Sequence, residues 1–209
     1  MIQKILKQNI TYLLSMILLI ILFIILKKSI WYEPILAFDN KVFDFFKNYQ
    51  SDALTVFFKL VTNILAAIIP MILLVFILLK KDKVYFYICA FSGSFTLFFA
   101  YLSKIIIHRD RPLVALIKMP STYSFPSGHT LFTFTFYVII GYLFTLNESI
   151  RTRKWLIIGC LFIAVVTGVS RIYLGVHYFS DVIGGIIFSI PLIMMIINIV
   201  ENNFKEILQ

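Results

Sequence analysis

Three short polar clusters stand out in a chain that is otherwise dominated by apolar runs. Between them they supply basic side chains, two histidines and a carboxylate. Basic side chains bind phosphate oxygens, an imidazole can attack phosphorus or carry a proton, and a carboxylate can orient that imidazole. Because polar groups near hydrocarbon cost free energy, such clusters indicate a functional site. The clusters are Lys104 with Arg111-Pro112, Pro126-Ser127-Gly128-His129, and Ser170-Arg171 with His177 and Asp181.

The first cluster places Lys104 and Arg111 seven residues apart at the end of an apolar run. A helix that continued through them would put both cations on one face, and the planar fork of Arg111 suits phosphate oxygens. The alternative is a pair of ordinary basic residues that reach the headgroup layer from a helix end. His108 shares that face, and a packing or surface role is favoured for it, while the role of Arg109 is left open.

The second cluster precedes an apolar run and predicts a helix start. Ser127 is the predicted N-cap, and Gly128 lets the backbone approach a ligand closely. The unpaired N–H groups of a helix start favour an anion, and His129 placed there could donate a proton to a leaving oxygen. The alternative is a simple serine-capped helix.

The third cluster contains a histidine and a carboxylate four residues apart, His177 and Asp181. This spacing predicts neighbours on a helix, where Asp181 would fix the tautomer of His177 and stabilise the cation formed on attack. Arg171 adds positive charge nearby. The alternative is a surface His–Asp pair, which contributes about 0.2–0.5 kcal/mol to a helix.

Composition predicts an integral membrane protein. The 209 residues are 61% hydrophobic and 14% charged, whereas soluble domains are about 45–50% apolar. The net charge of +9 comes mostly from cations that flank apolar runs, which fits membrane topology and anionic headgroups and argues against a nucleic-acid partner. No linker separates domains, so residues 1–209 are predicted to form a single membrane domain.

The apolar runs predict an all-α bundle of six transmembrane helices, since backbone groups in lipid must pair internally. Basic residues before the first run, after the second and after the fourth predict that these segments, and both termini, are cytoplasmic. All three polar clusters then fall on the outer face. The predicted spans are residues 10–26, 60–79, 84–103, 130–146, 155–169 and 178–200.

The first outer loop carries apolar residues at helical spacing, with polar residues between them. This pattern predicts an amphipathic helix, which either lies in the membrane interface or packs over the bundle. The apolar residues are Phe38, Val42, Phe45 and Tyr49.

Together, the clusters and the helix layout resemble the phosphatidic acid phosphatase type 2 superfamily, which also includes vanadium-dependent haloperoxidases. The resemblance covers a core of about residues 84–200, and the six spans favour a small bacterial membrane phosphatase over the larger, mostly soluble haloperoxidases. Every position of the signature is occupied: Lys104, Arg111, Pro112, Pro126, Ser127, Gly128, His129, Ser170, Arg171, His177 and Asp181.

The resemblance implies a catalytic group made of His177, His129 and Asp181. His177 would form a phosphohistidine, Asp181 would orient it, and His129 would protonate the leaving group and later activate water. Because His177 must be neutral and His129 protonated, the pH–rate profile is expected to be bell-shaped. The implied phosphate ligands are Lys104, Arg111, Ser127, Gly128 and Arg171, with no metal and no cofactor.

An outward-facing site predicts a lipid phosphate as substrate, with undecaprenyl diphosphate first and phosphatidylglycerophosphate or phosphatidate as alternatives. A lipid phosphotransferase on the same scaffold would pass the phosphoryl group to an alcohol instead of water. A non-enzymatic transporter would place charges at mid-membrane depth, whereas here they cluster at one face. The oligomeric state is left open.

Overall fold

A computed structural model describes residues 2–80, 83–146 and 149–203 of the chain. These residues form α-helices joined by short loops and one longer loop at 108–127, and no β-strand occurs among them. The predicted all-α class is therefore confirmed. The elements are α1 (Ile2–Lys27), α2 (Tyr32–Asn48), α3 (Asp52–Asn63), a π-helical segment (Ile64–Ile68), α4 (Ile69–Lys80), α5 (Lys83–Ile107), α6 (Gly128–Phe144), α7 (Ile150–Tyr173) and α8 (Phe179–Asn203).

Five stretches of these helices are long and apolar enough to cross a membrane. Each overlaps a predicted span, and the shorter apolar helix Gly128–Phe144 overlaps the one that remains, the fourth predicted span at 130–146. The predicted start of the second span at residue 60 was wrong, because α3 begins at Asp52. The hydroxyl of Ser51 accepts a hydrogen bond from Leu54 N at 3.3 Å and caps this earlier start.

The second span contains a π-helical segment immediately before Pro70. Proline has no N–H to donate and its ring crowds the carbonyl four residues earlier, so a widened turn accommodates it. One carbonyl of the widened turn, that of Leu65, accepts a hydrogen bond from Tyr137 Oη of α6 at 2.6 Å. This bond fixes the π-helical segment against the centre of the bundle.

Helix α6 is the centre of the bundle and contacts α5, α7 and α8. Its buried residues lie on every side of the helix, as expected for an element surrounded by others. Helix α1 packs on α8, and α3 packs on α7. The chain therefore brings the end of α5, the start of α6, the end of α7 and the start of α8 to one end of the bundle.

A helix, α2, forms in the first predicted loop, but the predicted apolar stripe is not the face that it buries. Asp39, only 1% exposed, faces the bundle, while Phe38, Phe45 and Tyr49 of the predicted apolar stripe are exposed. Val42 is partly buried. The helix therefore packs on the bundle through a carboxylate and keeps aromatic side chains on its outer surface.

Candidate active site

The end of α5 differs from the prediction. The helix ends at Ile107 because His108 adopts a left-handed backbone conformation with φ of 50°. The predicted helical continuation from Lys104 to Arg111 was therefore wrong, and Arg111 is carried by the loop that follows. Lys27 of α1 donates hydrogen bonds to the carbonyls of Ile107 and His108 and closes the helix end.

Lys104 lies beneath the loop that precedes α6 and is buried. Its Nζ donates to the carbonyls of Tyr123 at 2.7 Å and Ser124 at 3.0 Å. A Cβ at Gly128 would lie 3.7 Å from Lys104 Cε. The glycine therefore leaves the space beside this cation open at the start of α6.

Arg111 connects the loop 108–127 to the segment between α7 and α8. Its Nε donates to Thr122 O at 2.6 Å, and its Nη1 donates to Val176 O at 2.6 Å. The same Nη1 lies 3.2 Å from His177 Nε2. Burial lowers the pKa of Arg111 and the Asp181 carboxylate raises it in part, but a guanidinium stays charged in proteins.

His177 and Asp181 are neighbours, although not on one helix as predicted. Helix α8 begins at Phe179, so His177 precedes it, and Asp181 in its first turn accepts a hydrogen bond from Tyr178 N at 2.9 Å. The hydrogen bond that a side chain in the first turn accepts from the N–H before the helix is one of the two bonds of a capping box. His177 Nδ1 lies 3.4 Å from Asp181 Oδ2, and Ser124 Oγ donates to the same oxygen.

The surroundings of His177 favour its neutral form. Complete burial lowers the pKa of His177 well below its ordinary value, the hydrogen bond with Asp181 raises it in part, and Lys104 lowers it again. With Nδ1 directed at the carboxylate, Nε2 carries the lone pair of the neutral ring. This nitrogen faces Arg111.

His129 is the second residue of α6 and lines a cavity of about 250 Å³ together with Lys104 and Gly128. Arg171, Lys104 and Arg111 all act electrostatically on its ring. Lys104 and Arg111 also act on His177. Both predicted catalytic histidines therefore share the field of the same cations.

Ser127 occupies the predicted N-cap position of α6, but its side chain does not cap the helix backbone. Its hydroxyl instead accepts a hydrogen bond from Thr130 Oγ1 at 3.0 Å, and its N–H donates to Asp181 O at 3.0 Å. The backbone of the second cluster is thereby tied to the third. The fully buried hydroxyl lies at the helix start and not on the surface.

Two consecutive glycines let α8 approach the loop before α6. A Cβ at Gly184 would lie 2.2 Å from Phe125 Cε2, and one at Gly185 would lie 3.0 Å from Ser127 O. Larger residues would push α8 away from the loop. These glycines therefore set the distance between the second and third polar clusters.

The PAP2 superfamily profile matches residues 83–205, which is more than half of the chain. The chain belongs to the PAP2 superfamily. Phosphatidylglycerophosphatase B of Bacillus subtilis (strain 168) is 38% identical over 98 residues, 44% of this chain and 47% of that protein. An undecaprenyl-diphosphatase of Sulfolobus acidocaldarius is 36% identical over 74 residues, 35% of this chain and 32% of that protein. The chain thus matches half or less of the length of these curated relatives.

Two solved structures share the PAP2 fold with this chain. A crystal structure of a transmembrane PAP2 type phosphatidylglycerolphosphate phosphatase from Bacillus subtilis superposes with a TM-score of 0.77 at 23% identity, covering 91% of this chain and 96% of the other. Aquifex aeolicus LpxE gives 0.58 at 23% identity, covering 75% and 93%. With its apolar helices, the chain is a multi-pass membrane protein.

Three residues beside the PAP2 clusters were not predicted as part of the site. Ser124 and Arg109 bond the Asp181 carboxylate, and Asp39 bonds Arg109. Asp39 gave no usable signal in the sequence, because the predicted apolar stripe of α2 placed it among the polar residues. Ser124 gave none, since its partner lies 57 residues away.

A second and larger groove lies on another side of the bundle. It has a volume of about 550 Å³ and is formed by α1, α2, Phe125 and α8. Its walls are apolar apart from Asp39 and Ser180, and no cation contributes to its lining. Of the two, only the cavity beside Lys104 and His129 is lined by a basic side chain that could hold a phosphate. The described residues that line this cavity do not include Arg111, Arg171 and His177.

Proposed function

We propose that this chain is a lipid phosphatase that cleaves a phosphate or diphosphate group from a membrane lipid through a phosphohistidine. The observation that carries the proposal is the arrangement of His177, with Nδ1 toward Asp181 and Nε2 3.2 Å from Arg111. A phosphate bound to the guanidinium of Arg111 would meet the lone pair of Nε2. Family membership supports the same chemistry.

In the first step, His177 Nε2 forms a bond to phosphorus while the bond from phosphorus to the leaving oxygen breaks. His129 transfers its proton to that oxygen, so the lipid product leaves as an alcohol or a monophosphate. The ring of His177 becomes cationic, and the Asp181 carboxylate stabilises it.

In the second step, the now neutral His129 removes a proton from water. The oxygen of that water attacks phosphorus and the P–N bond to His177 breaks. Inorganic phosphate is released, His177 returns to its neutral form and His129 is again protonated. A phosphotransferase would use a lipid alcohol in place of this water.

Positive charge that is fixed in place stabilises the transferring group. Lys104, Arg111 and Arg171 would contact its equatorial oxygens, with Ser127 and the backbone at Gly128 adding hydrogen bonds. Arg171 Nε is buried and has no hydrogen-bond partner among the described residues, so it has a donor available for phosphate. Three cations supply the charge that a metal ion would otherwise provide.

No cluster of three or more His, Cys, Asp or Glu side chains at metal-binding distance occurs within residues 2–80, 83–146 and 149–203. The two buried acids near the site, Asp39 and Asp181, are both paired with Arg109. The donor set therefore suits an anion better than a divalent cation. Metal-independent hydrolysis is accordingly part of the proposal.

The cavity beside Lys104 and His129 supports a lipid substrate. Its other walls are mainly apolar and come from α5, α6 and the π-helical segment, including Leu97, Phe132 and Ala66. A headgroup phosphate at the cations would leave its hydrocarbon chain against these walls. The shared membrane setting of the PAP2 relatives agrees with a substrate presented by the bilayer.

We propose that the site faces outward and that the 209 residues form one domain with six spans. Helix α6, with 17 residues, just reaches the length that crosses a bilayer, about 17–25 residues. The bundle end opposite the site carries Lys80 and Arg151, which the positive-inside rule assigns to the cytoplasm. Helix α2, with exposed Phe38 and Phe45, would lie in the outer interface.

An outward-facing site favours undecaprenyl diphosphate as the substrate, because the carrier lipid is released in this form on that side. Similarity to an undecaprenyl-diphosphatase is consistent with it. Phosphatidylglycerophosphate is the second candidate, favoured by the 38% identity to phosphatidylglycerophosphatase B. Phosphatidate is the third.

The test is phosphate release by the purified protein in detergent with EDTA present, using each of the three lipids separately. We expect hydrolysis without added acceptor, with the highest kcat/KM for undecaprenyl diphosphate. His177→Ala should lower the rate about 10³-fold or more, whereas His108→Asn, which keeps a residue that tolerates positive φ, should not. Dependence on a divalent metal, transfer only to an added alcohol, or an active His177→Ala variant would refute the proposal.

A further inference from the structure

We propose that Arg109 and Asp39 are positioning residues for the reaction, acting through the Asp181 carboxylate. Arg109 stands two residues before the phosphate ligand Arg111, and Asp39 lies on α2, before the region that the PAP2 profile matches. The inference rests on the proposed phosphatase function, because it concerns the residue that orients the nucleophile.

Arg109 is held between two carboxylates. Its Nη1 donates to Asp181 Oδ1 at 2.6 Å, and its Nη2 donates to Asp39 Oδ2 at 2.7 Å. Its Nε donates to Tyr32 Oη at 3.2 Å, and the guanidinium lies 4.5 Å from the centre of the Tyr178 ring. Arg109 is only 1% exposed, so these protein partners fix the orientation of its guanidinium. All of these contacts are with the protein, and Arg109 is not one of the proposed phosphate ligands.

The two oxygens of the Asp181 carboxylate have different partners. Oδ1 receives Arg109, while Oδ2 receives Tyr178 N and Ser124 Oγ and faces His177 Nδ1. Because both oxygens take part in hydrogen bonds, these contacts hold the carboxylate in its orientation toward the imidazole. Without Arg109, Oδ1 would be a buried acceptor lacking its strongest partner, and the carboxylate would turn to find another.

Asp39 prevents Arg109 from neutralising Asp181 completely. A guanidinium paired with one carboxylate gives a neutral pair, but a guanidinium shared by two carboxylates leaves one negative charge in the group. That remaining charge is what His177 needs when its ring becomes cationic in the phosphohistidine. Asp39 therefore preserves the net negative charge with which Asp181 stabilises the His177 cation, even though Asp39 does not touch His177.

Asp39 is itself held by the start of α8. Ser180 N donates to Asp39 Oδ1 at 2.8 Å, and Ser180 Oγ donates to Oδ2. The N–H groups and the dipole at a helix start stabilise a carboxylate in this place. Helix α2 thus contributes a charge to the helix turn that carries Asp181, so the packing of α2 and the orientation of the Asp181 carboxylate are coupled.

The alternative is that Arg109 and Asp39 only attach α2 to the bundle. Kinetics separate the two roles. A structural role predicts loss of folded protein with normal kinetics in what remains, because the cations that bind phosphate make no contact with Arg109. A positioning role predicts a lower kcat at nearly unchanged KM, because orientation of the nucleophile matters for the chemical step.

The test compares Asp39→Asn, Arg109→Lys and Arg109→Gln with wild type, normalised to folded protein by size-exclusion chromatography. We expect kcat to fall about 10-fold for Asp39→Asn and about 100-fold for Arg109→Gln, as for groups that orient a reacting ligand. KM should stay within about twofold, and Arg109→Lys should lie between wild type and Arg109→Gln because Lys reaches one carboxylate only. Asp44→Asn, an exposed acid on the same helix, and Arg151→Gln are the matched controls.

Competitive inhibition by inorganic phosphate, which binds the cations without a bond to His177, gives a second readout in the same preparations. Its inhibition constant should be unchanged in Asp39→Asn, because Lys104, Arg111 and Arg171 are intact. The inference is overturned if the folded Asp39→Asn and Arg109→Gln variants keep the wild-type kcat. It is also overturned if the whole loss of kcat/KM comes from a raised KM. Either result would leave the proposed phosphatase function standing. A wild-type protein that hydrolyses none of the lipids would refute the proposed function and this inference with it.

Discussion

Arg111 Nη1 lies 3.2 Å from His177 Nε2 and donates to the neighbouring Val176 carbonyl at 2.6 Å. The proposed phosphate ligand and the proposed attacking nitrogen are therefore held side by side, although 66 positions separate them in sequence. Before substrate binds, the guanidinium of Arg111 donates a hydrogen bond to the lone pair of Nε2. A phosphate oxygen would draw the guanidinium toward itself and release that lone pair for attack.

The first prediction concerns the acid limb of the pH–rate profile. Burial lowers the pKa of His177 well below 6.5, Asp181 raises it in part, and Lys104 and Arg111 lower it. A group with a lowered pKa keeps its neutral form as the pH falls through 6.5, so the nucleophile stays competent there. The measurement is kcat/KM from pH 4 to 9. We expect the fall in kcat/KM that protonation of His177 causes on the acid side to have its midpoint below pH 6.5.

Ionisation of the substrate phosphate also contributes to that limb. Titration of the same lipid in detergent by ³¹P NMR identifies its own pKa and serves as the control. If kcat/KM already falls between pH 8 and 7 while the ³¹P signal of the substrate shows no titration there, then His177 becomes protonated too early and the buried neutral state is wrong.

The second prediction is that Arg111→Lys is not a conservative change. Arg111 reaches Thr122 O through Nε and both Val176 O and His177 Nε2 through Nη1, and an ammonium on a flexible chain cannot hold all three directions. We expect kcat/KM to fall about 10- to 100-fold, through loss of charge-assisted hydrogen bonds to phosphate and of loop positioning. Steady-state phosphate release measures it.

The control for this change is Arg151→Lys, at an exposed position at the start of α7. It makes the same chemical replacement far from the site and should leave kcat/KM unchanged. An Arg111→Lys variant with wild-type kcat/KM would contradict the assignment of Arg111 as a phosphate ligand.

The helices could be predicted from the sequence because apolarity and length dominate in a membrane. The residues of the three PAP2 clusters could be predicted because their types and order are specific. The end of α5 could not, since its position depends on the left-handed backbone of His108 and on Lys27, a residue of another helix. Local spacing alone favoured a helix that runs on to Arg111.

The partners of Asp181 could not be predicted for a related reason. Ser124 and Arg109 meet it across 57 and 72 positions of sequence. Asp39 meets Ser180 across 141. No periodicity within one element encodes such pairs, because they exist only once α2, the loop 108–127 and α8 have packed.

The third prediction tests the close approach of α8 to the loop before α6. Gly184→Ala would place a Cβ 2.2 Å from Phe125. Phe125 is stacked on Phe23 with ring centres 3.5 Å apart and contacts the edge of Phe188, so its ring has no room to move. We expect a loss of about 1–3 kcal/mol, as for overpacking of a core. Thermal unfolding in detergent should show a lower Tm, and activity should fall with it.

Gly159→Ala is the matched control for that experiment. It makes the same change within α7, where a Cβ would meet nothing within 4 Å. Alanine is the better helix former, so the Tm should stay the same or rise. Equal effects of the two substitutions would mean that the Gly184 contact does not set the position of α8.

The fourth prediction concerns which side of the membrane the site faces. Leu113 in the loop beside Arg111 is 99% exposed, and Ile150 at the opposite end of the bundle is 87% exposed. Leu113→Cys and Ile150→Cys therefore offer equally accessible thiols at the two ends. The native Cys89 and Cys160 are buried and should give little background. We expect a membrane-impermeant maleimide added to intact cells to label Leu113→Cys only, because the basic residues around Ile150 favour the cytoplasmic side.

Permeabilised cells are the control, and both variants should label there. Labelling of Ile150→Cys alone in intact cells would invert the topology, place the phosphate site on the cytoplasmic side and remove the argument for an outward-facing carrier lipid as substrate. The chemistry at His177 would survive that result, because it depends on Asp181 and Arg111 and not on the direction of the bundle. Phosphatidylglycerophosphate or phosphatidate would then become the expected substrate.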